Sequence, residues 1–508
     1  MTKLNENIGL AEIYKNHFLI GTCFRNKDDL SGKRYELIKK HFNVVTAENN
    51  MKPCHLRGDD GSFKFDIADE MCNALSSEGF TLHGHVLLWH EQSPDWLIKD
   101  ENGELLTRGQ AVVNLTKHIN VIAKHFTGKV YSWDVVNESI VDNPDPKNWR
   151  ASLRKEGWYN VLGADCIDMA FKLARDADPN AVLYYNDYNL DNPEKAQAVA
   201  AMVKEINDAY IENGNSRLLI EGVGMQGHYN IFTKPEDVEA SVNLFKSIGV
   251  IVSITELDVQ AGGGKNDKGD SIPELSELRQ AYLYAELFRI FKKHSDVIER
   301  VTLWGIDDVS SWRSSAYPLL FNGDLSPKKA FFAICDPDGF IENNIKPEVE
   351  LITGIATYGT PVLNNSDPLW NTAEELQISI LLQAWQTAQG TARVLWDEEN
   401  LYVRVMINEE NKTGSVEVFF DEMHCKRGEY RKCDRYVCAD FDNSSIVEMK
   451  LPFKVVKPSA NMQIGLDFQI NDVQNGEVRG VAKWADASNQ SHTNTSRWGT
   501  VILKGDLK

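Results

Sequence analysis

The sequence predicts an α/β chain: a (β/α)8 barrel of the TIM type followed by an all-β sandwich module. Three features predict it. Eight short apolar runs recur along the first two-thirds, with longer segments of helical spacing between them. That alternation stops near Asp336. From about residue 350 onward only short strand-like runs with intervening turn residues remain.

The apolar runs are Phe18–Phe24, Phe42–Glu48, Thr81–Trp89, Val130–Glu138, Ala181–Asn189, Leu218–His228, Gly249–Asp258 and Arg300–Asp308. Helical spacing is clearest over Gly109–Phe126, Trp158–Asp176, Pro193–Asn213 and Leu275–His294. Eight such runs point to a closed barrel rather than an open doubly wound sheet, and a barrel gathers its chemistry at the C-terminal ends of its strands. Asp336-Pro-Asp-Gly339 and the polar stretch Glu342–Glu348 read as linker. The expected division is therefore a barrel over 1–340, a linker over 341–353 and a β-sandwich over 354–508. In that last part Ala392–Trp396 and Leu401–Ile407 form a hairpin around Asp397-Glu-Glu-Asn400. Ser415–Phe420, Arg435–Phe441, Ile446–Leu451, Met462–Ile470, Val478–Trp484 and Thr500–Leu503 follow.

The composition is that of an ordinary globular protein, 42% hydrophobic and 25% charged. A formal net charge of −20 repels nucleic acid and anionic membranes, so neither is expected as a partner, and it suits a neutral one such as polysaccharide. Met1–Leu10 has no apolar stretch and is not read as a signal peptide, and no run approaches a membrane span. Eight cysteines are scattered along the chain without a Cys-x-x-Cys pair, which fits free thiols and a cytoplasmic location; a secreted enzyme lacking its leader would look the same.

The ends of the barrel strands carry an unusual set of side chains: Glu48-Asn49 with Lys52 on the second, His83, His85, Trp89 and His90 on the third, and Asn137-Glu138 on the fourth. The fifth offers Asn186-Asp187-Tyr188, the sixth Gln226 and His228, the seventh Glu256, and the eighth Trp304 with Trp312-Arg313 in its loop. Taken singly, Lys52, His85, Gln226 or His228 reads as a core or surface residue. Their common position at strand ends makes them a cleft. Glu138 and Glu256 each follow an apolar run, where a charge is costly unless it is paired or functional. Two such carboxylates suit glycosidic cleavage: one protonates the leaving oxygen, and the other attacks the sugar carbon or activates water, with about 5–5.5 Å between them in a retaining enzyme. Asn137 could hold a sugar 2-hydroxyl, Glu48, Asn49 and Lys52 could bond other hydroxyls, and Trp304 and Trp312 offer flat faces to sugar rings.

Residues 15–340 resemble a glycoside hydrolase family 10 endo-β-1,4-xylanase. The resemblance is carried by Glu48-Asn-Asn-Met-Lys52, Gly84-His-Val-Leu-Leu-Trp-His90, Trp133-Asp-Val-Val-Asn-Glu138, Asn186-Asp-Tyr-Asn189, Gly224-Met-Gln-Gly-His228, Ile254-Thr-Glu-Leu-Asp258 and Trp304-Gly with Ser311-Trp-Arg313. It implies Glu138 as acid/base, Glu256 as nucleophile and His228 as the group positioning Glu256. It implies that Lys52, His85, Asn137, Gln226, Trp304 and Trp312 line the subsite of the attacked sugar, that Glu48 and Asn49 hold the next sugar, and that Tyr188 lies toward the leaving side. Trp89 is expected to join the substrate-binding set. The implied substrate is xylan or xylo-oligosaccharide, and no cofactor or catalytic metal is expected.

Residues from about 350 resemble the family 9 carbohydrate-binding modules, through Ala356-Thr-Tyr-Gly-Thr-Pro361, Leu369-Trp-Asn-Thr372, Val394–Val403, Ser415–Asp421 and Arg497-Trp-Gly-Thr500. Sugar-binding members clamp a sugar between two tryptophans, one just before the Ser-Val-Glu-Val-Phe strand. Here Asn408–Gly414 has no aromatic residue, so weak sugar binding is expected, with Trp484 the remaining candidate. The resemblance also implies structural calcium, for which Asp421 and Glu422 are candidates. Cys425, Cys433 and Cys438 with His424 form a looser candidate for zinc. Two other functions remain open at this point. A metal-dependent barrel hydrolase would use His83, His85, His228 and Asp307 or Asp308; a non-catalytic polysaccharide-binding protein would not need both carboxylates.

Overall fold

The computed structural model describes residues 8–141, 144–231, 233–261, 274–347, 352–364, 366–381, 389–408, 413–423, 436–442, 445–474, 477–486, 491 and 498–505. The chain separates near residue 347 into two compact units.

In the first unit eight parallel strands close into a barrel: β1 (Leu19–Phe24), β2 (Val44–Ala47), β3 (Thr81–Leu88), β4 (Ser132–Asn137), β5 (Val182–Asp187), β6 (Gly222–Met225), β7 (Ile251–Gln260) and β8 (Ile298–Leu303). Each pairs with its sequence neighbour, β6 pairs directly with β7, and β1 closes on β8 with Leu19 opposite Arg300. Helices follow the strands in turn: Gly32–His41, Asp66–Ser77, Arg108–Phe126, Asp165–Ala177, Pro193–Glu212, Pro235–Ser247, Glu274–Lys293 and Lys329–Cys335.

Local chemistry explains the helices. Arg108–Phe126 begins with a capping box, in which Thr107 and Gln110 satisfy each other's backbone N–H. Its buried Ala111, Leu115, His118, Ile119, Ile122 and Phe126 recur at three- and four-residue intervals and face the sheet. Pro193–Glu212 starts with proline at its first turn, behind an Asn192 side chain that accepts from Glu194 N–H. The strand faces that meet the helices carry Val45, Leu82, Val135, Leu183, Val223, Val252, Ile254, Val301 and Leu303. Burying each such side chain contributes roughly 1.5–3 kcal/mol.

The structure differs from the sequence reading in four places. The sixth apolar run yields only Gly222–Met225, with a separate short strand at His228–Asn230. The eighth starts earlier, at Ile298, and ends at Leu303. The expected Trp158–Asp176 helix is broken into Tyr159–Leu162 and Asp165–Ala177, because Gly163 at φ 62° stops the first turn. The Asp336-Pro-Asp-Gly stretch is helix, not linker: Asp336 accepts from Gly339 N–H and Pro337 occupies the first turn of Pro337–Asn343, so the first unit runs on to Pro347.

The second unit is built of β-strands around a main apolar core, among whose residues are Val394, Leu401, Val416, Phe420, Phe468 and Trp484, with smaller clusters around Trp370 and Trp498. The predicted strands are present as Gly390–Trp396, Asn400–Ile407, Thr413–Asp421, Tyr436–Asp442, Ile446–Pro452, Gln463–Gln474, Glu477–Lys483 and Gly499–Lys504. Thr353–Tyr358, Leu376–Ile378 and Ile380–Leu381 add strands that the sequence reading did not name. The expected hairpin pairs Trp396 with Leu401, and Asp397 accepts from the N–H groups of Glu399 and Asn400 to close its turn. Among the described residues, no helix is long and apolar enough to cross a membrane.

Candidate active site

Strand alternation alone would send side chains in and out of the barrel at every second residue. At three strands the register slips near the mouth: between His85 and Leu88 on β3, between Asp134 and Val136 on β4, and between Ile254 and Leu257 on β7. Each slip re-aims the residues beyond it. On β7 it lets the consecutive Thr255 and Glu256 both reach Asn186. On β4 it leaves Val135 and Val136 in the apolar layer, while Asn137 bonds its register partner Asn186 on β5.

Glu256 is 5% exposed. Its Oε1 accepts from Asn186 Nδ2 at 2.8 Å, and its Oε2 lies 3.3 Å from His228 Nε2. His228 Nδ1 meets Asp258 Oδ2 at 3.0 Å, and Asp258 also accepts from Trp312 Nε1 at 2.9 Å and Arg313 Nη1 at 3.3 Å. Burial alone would push the Glu256 carboxyl up, but the His228 hydrogen bond and the neighbouring His85 and His228 charges leave it below the ordinary carboxylate range. Burial would likewise lower His228, yet the Asp258 and Glu256 carboxylates hold it above the usual imidazole range.

Glu138 follows the last residue of β4 with its backbone at φ 57°, in the left-handed region. For a residue with a Cβ that costs about 1–3 kcal/mol and has to be held by its surroundings. Oε1 accepts from Gln226 Nε2 at 2.8 Å and Asn137 Nδ2 at 3.0 Å, and Oε2 accepts from Trp89 Nε1 at 3.0 Å. Burial drives the Glu138 carboxyl up. The Gln226 bond and Arg154 oppose this, the Asp187 and Glu256 charges add to it, and the net direction is upward.

The two carboxylates are joined by amides. Asn186 Nδ2 donates to Glu256 and to Asn137 Oδ1, and Asn137 Nδ2 donates to Glu138. Thr255 Oγ1 donates to Asn186 Oδ1 at 2.6 Å, which fixes which end of that amide faces Glu256. The result is one carboxyl biased to keep its proton and one biased to stay ionised, at the ends of a single hydrogen-bond chain.

The structure brings the rest of the predicted set into the same region. His85 Nδ1 bonds Asp134 Oδ2 at 2.9 Å and packs edge-on to Trp304 with ring centroids 5.7 Å apart. Lys52 donates to Asn49 Oδ1 at 3.0 Å and stands 5.2 Å from the Trp89 ring. Burial raises Glu48, which accepts from the Cys23 thiol. Trp312 lies 4.8 Å from the His228 ring and is 36% exposed, so part of its face is open. Tyr188 accepts from Arg154 Nη2 at 2.9 Å. Sequence places Asn186 only within the strand-end set and singles out none of Arg154, Asp134 and Asp258, although Asp134 and Asp258 lie inside the quoted motifs.

The candidate metal sites fare differently. His83 and His85 both turn to Asp134, and burial pushes His83 down to about 4. Asp307 pairs with Arg34 at 2.7 Å and Asp308 with Lys328 at 2.8 Å, so the set expected of a metal hydrolase is committed to other partners. The carboxylate of Glu422 accepts from the N–H groups of Lys454, Val455 and Val456, and Asp421 accepts from the N–H of Met423. Cys438 is an exposed thiol; His424, Cys425 and Cys433 lie outside the described residues. Trp484 is core, not a sugar platform: it is buried against Phe468, and Gly354 and Gly499 lie against its ring. Of Asn408–Gly414, residues 409–412 lie outside the described residues.

The sequence matches the model of glycosyl hydrolase family 10 over residues 9–337, and that of the carbohydrate family 9 binding domain-like group over 364–446 and 435–506. Endo-1,4-beta-xylanase A of Thermotoga maritima is 32% identical over 98% of this chain and 47% of its own length. The chain thus spans about half the length of such longer relatives. The endo-1,4-beta-xylanase of Geobacillus stearothermophilus is 36% identical over 64% of this chain and 97% of its own. Among solved structures, a xylanase of the same family from termite gut, with a bacterial Ig-like domain, is 36% identical with a TM-score of 0.61, covering 67% of this chain and 80% of that one.

Proposed function

The chain belongs to glycosyl hydrolase family 10, and on that premise we propose that it is an endo-1,4-β-xylanase, cleaving xylan or xylo-oligosaccharides with retention of configuration. The observation that carries the reading is the pair of carboxyls with opposed proton affinities on one amide chain. Glu256, ionised and steadied by His228, attacks the anomeric carbon. Glu138, protonated, gives its proton to the departing oxygen. Glycosylation removes the charge of Glu256, one of the charges that raise Glu138. Glu138 then loses its proton more readily and serves as base for the water that releases the sugar. Asn137 supports the attacked sugar through its 2-hydroxyl, and Trp304 and Trp312 offer faces to the rings. Glu48, Asn49, Lys52, His85, Trp89 and Gln226 complete the binding side, with Tyr188 toward the leaving group.

No step of this chemistry calls for a cofactor or a metal. The free Cys23, Cys54, Cys72, Cys166 and Cys335 support a reducing compartment as the protein's location. The test is a reducing-sugar assay on xylan with proton NMR of the first product from a xylo-oligosaccharide. The β-anomer is expected before mutarotation; an initial α-anomer, or no release from xylan, refutes the proposal.

A further inference from the structure

The strained backbone at Glu138 is held from outside the barrel lumen. Tyr184 and Tyr185 are consecutive on β5; Tyr185 packs in the apolar layer between strands and helices, where no sugar reaches. Its phenol oxygen accepts from the N–H groups of Ser139 at 3.0 Å and Ile140 at 3.2 Å, the two residues that follow Glu138. Its O–H donates to Asp187 Oδ2 at 2.6 Å. Asp187 Oδ1 in turn takes Lys195 Nζ at 2.9 Å and Tyr188 N–H at 2.9 Å, and both members of that ion pair are fully buried. The main-chain groups of Glu138 itself are fixed as well: its N–H donates to Asn186 O, and Arg154 Nε donates to Glu138 O.

We propose that Tyr185 and Asp187 are positioning residues for the proton donor: the phenol, oriented by the buried ion pair, clamps the turn after Glu138 and so aims its carboxyl at the departing oxygen. The inference rests on the reading of Glu138 as acid/base. A rigid arm is needed because the clamp must reach two successive N–H groups from the next strand. A phenol does this with one oxygen that accepts twice and donates once. A carboxylate suits the place behind it because one of its oxygens holds that O–H in a charge-assisted bond while the other offsets the buried Lys195 charge. Asp187 also faces Glu138 electrostatically. Arg154, after β4, and Glu256, on β7, act on it as well; Gln226 and Trp89 approach it as neutral donors, and the titratable Glu156 and His90 line the same pocket.

The test uses kcat/KM of the full chain on two substrates that differ in their need for a proton. Xylotetraose has a poor leaving group; 2,4-dinitrophenyl xylobioside has one that departs without help. Tyr185→Phe is expected to lose roughly 10- to 100-fold on xylotetraose and less than about threefold on the aryl glycoside, since misplacement by about 1 Å is costly only where the proton must be delivered. Asp187→Asn is expected to show the same split and to move the basic limb of the pH profile to lower pH, because a negative charge that favours the proton on Glu138 is gone. A residue serving the fold alone would lower both substrates equally and leave the limb in place; that result in either folded variant overturns the proposal. Should Tyr185→Phe fail to fold, the substrate split in Asp187→Asn decides. Glu138→Ala on the same two substrates keeps the underlying reading separate: equal loss on both would sink the acid/base assignment rather than the clamp.

Discussion

A carboxylate as buried as Glu256 survives only with donors around it, and His228 is the one that also carries charge. A hydrogen bond to an ionised group is worth about 1.5–3 kcal/mol, and about 1.4 kcal/mol corresponds to one pH unit. In the wild type, kcat/KM should fall on the acid side as Glu256 gains a proton, below the ordinary carboxylate range, and on the basic side as Glu138 loses one, above that range. His228→Ala should therefore move the acid limb upward by about one pH unit; an acid limb that stays put would remove His228 from the positioning of Glu256. The same asymmetry separates the two glutamates. Glu256→Ala should lose activity on every substrate, whereas Glu138→Ala should still glycosylate on aryl glycosides with good leaving groups, and azide should speed its turnover. Identical behaviour of the two variants would undo the assignment. Both glutamates were legible in the sequence because each ends an apolar run. The bridge through Asn186 was not, since that amide's partners come from two other strands, β4 and β7, and no spacing in one segment encodes them.

The elements explain what the sequence could and could not reveal. Strand and helix existence followed from apolar periodicity, and the barrel followed from counting. The slips on β3, β4 and β7 are invisible to such counting: a bulge is one extra residue whose neighbours look like any other strand. The helix at Pro337 was read as linker because Asp-Pro-Asp-Gly is turn chemistry in isolation, and only the downstream Phe340 and Ile341, packed on the barrel core, turn its cap into a helix start. On β3, Gly84 carries a constraint of its own. A Cβ there would stand 2.3–2.6 Å from ring atoms of Trp133 on β4. Gly84→Ala should cost about 1–3 kcal/mol of overpacking and displace the neighbouring His85. The urea unfolding midpoint and kcat should fall together, and an unchanged midpoint would show that the Trp133 ring yields freely.

At the scale of the whole chain, the boundary near residue 347 makes the two units separable in principle. Residues 1–347 alone should keep kcat/KM on soluble xylo-oligosaccharides within about twofold of the full chain, as expected of a domain with its own core. A larger loss would assign the second unit a part in catalysis. Residues 348–508 alone should bind xylose, xylobiose and cellobiose weakly or not at all by isothermal calorimetry. Trp370, Trp396, Trp484 and Trp498 are all buried there, so none offers a stacking face. A tight isotherm lost in Trp385→Ala, a residue outside those described, would place an aromatic platform where the buried four do not supply one.

The pairing of Leu19 with Arg300 also has a consequence for synthesis. The first barrel strand leaves the ribosome long before its last partner, so the ring stays open until nearly the whole unit has been translated. Until then β1 and the most recently made strand both present unpaired edges, the surfaces on which chains join one another. Chains halted before Ile298 should collect in the insoluble fraction, and extending them past Leu303 and the Lys329–Cys335 helix should return them to solution. For this chain the hazardous interval of biogenesis is set by one hydrogen-bonded seam, and it ends when β8 arrives.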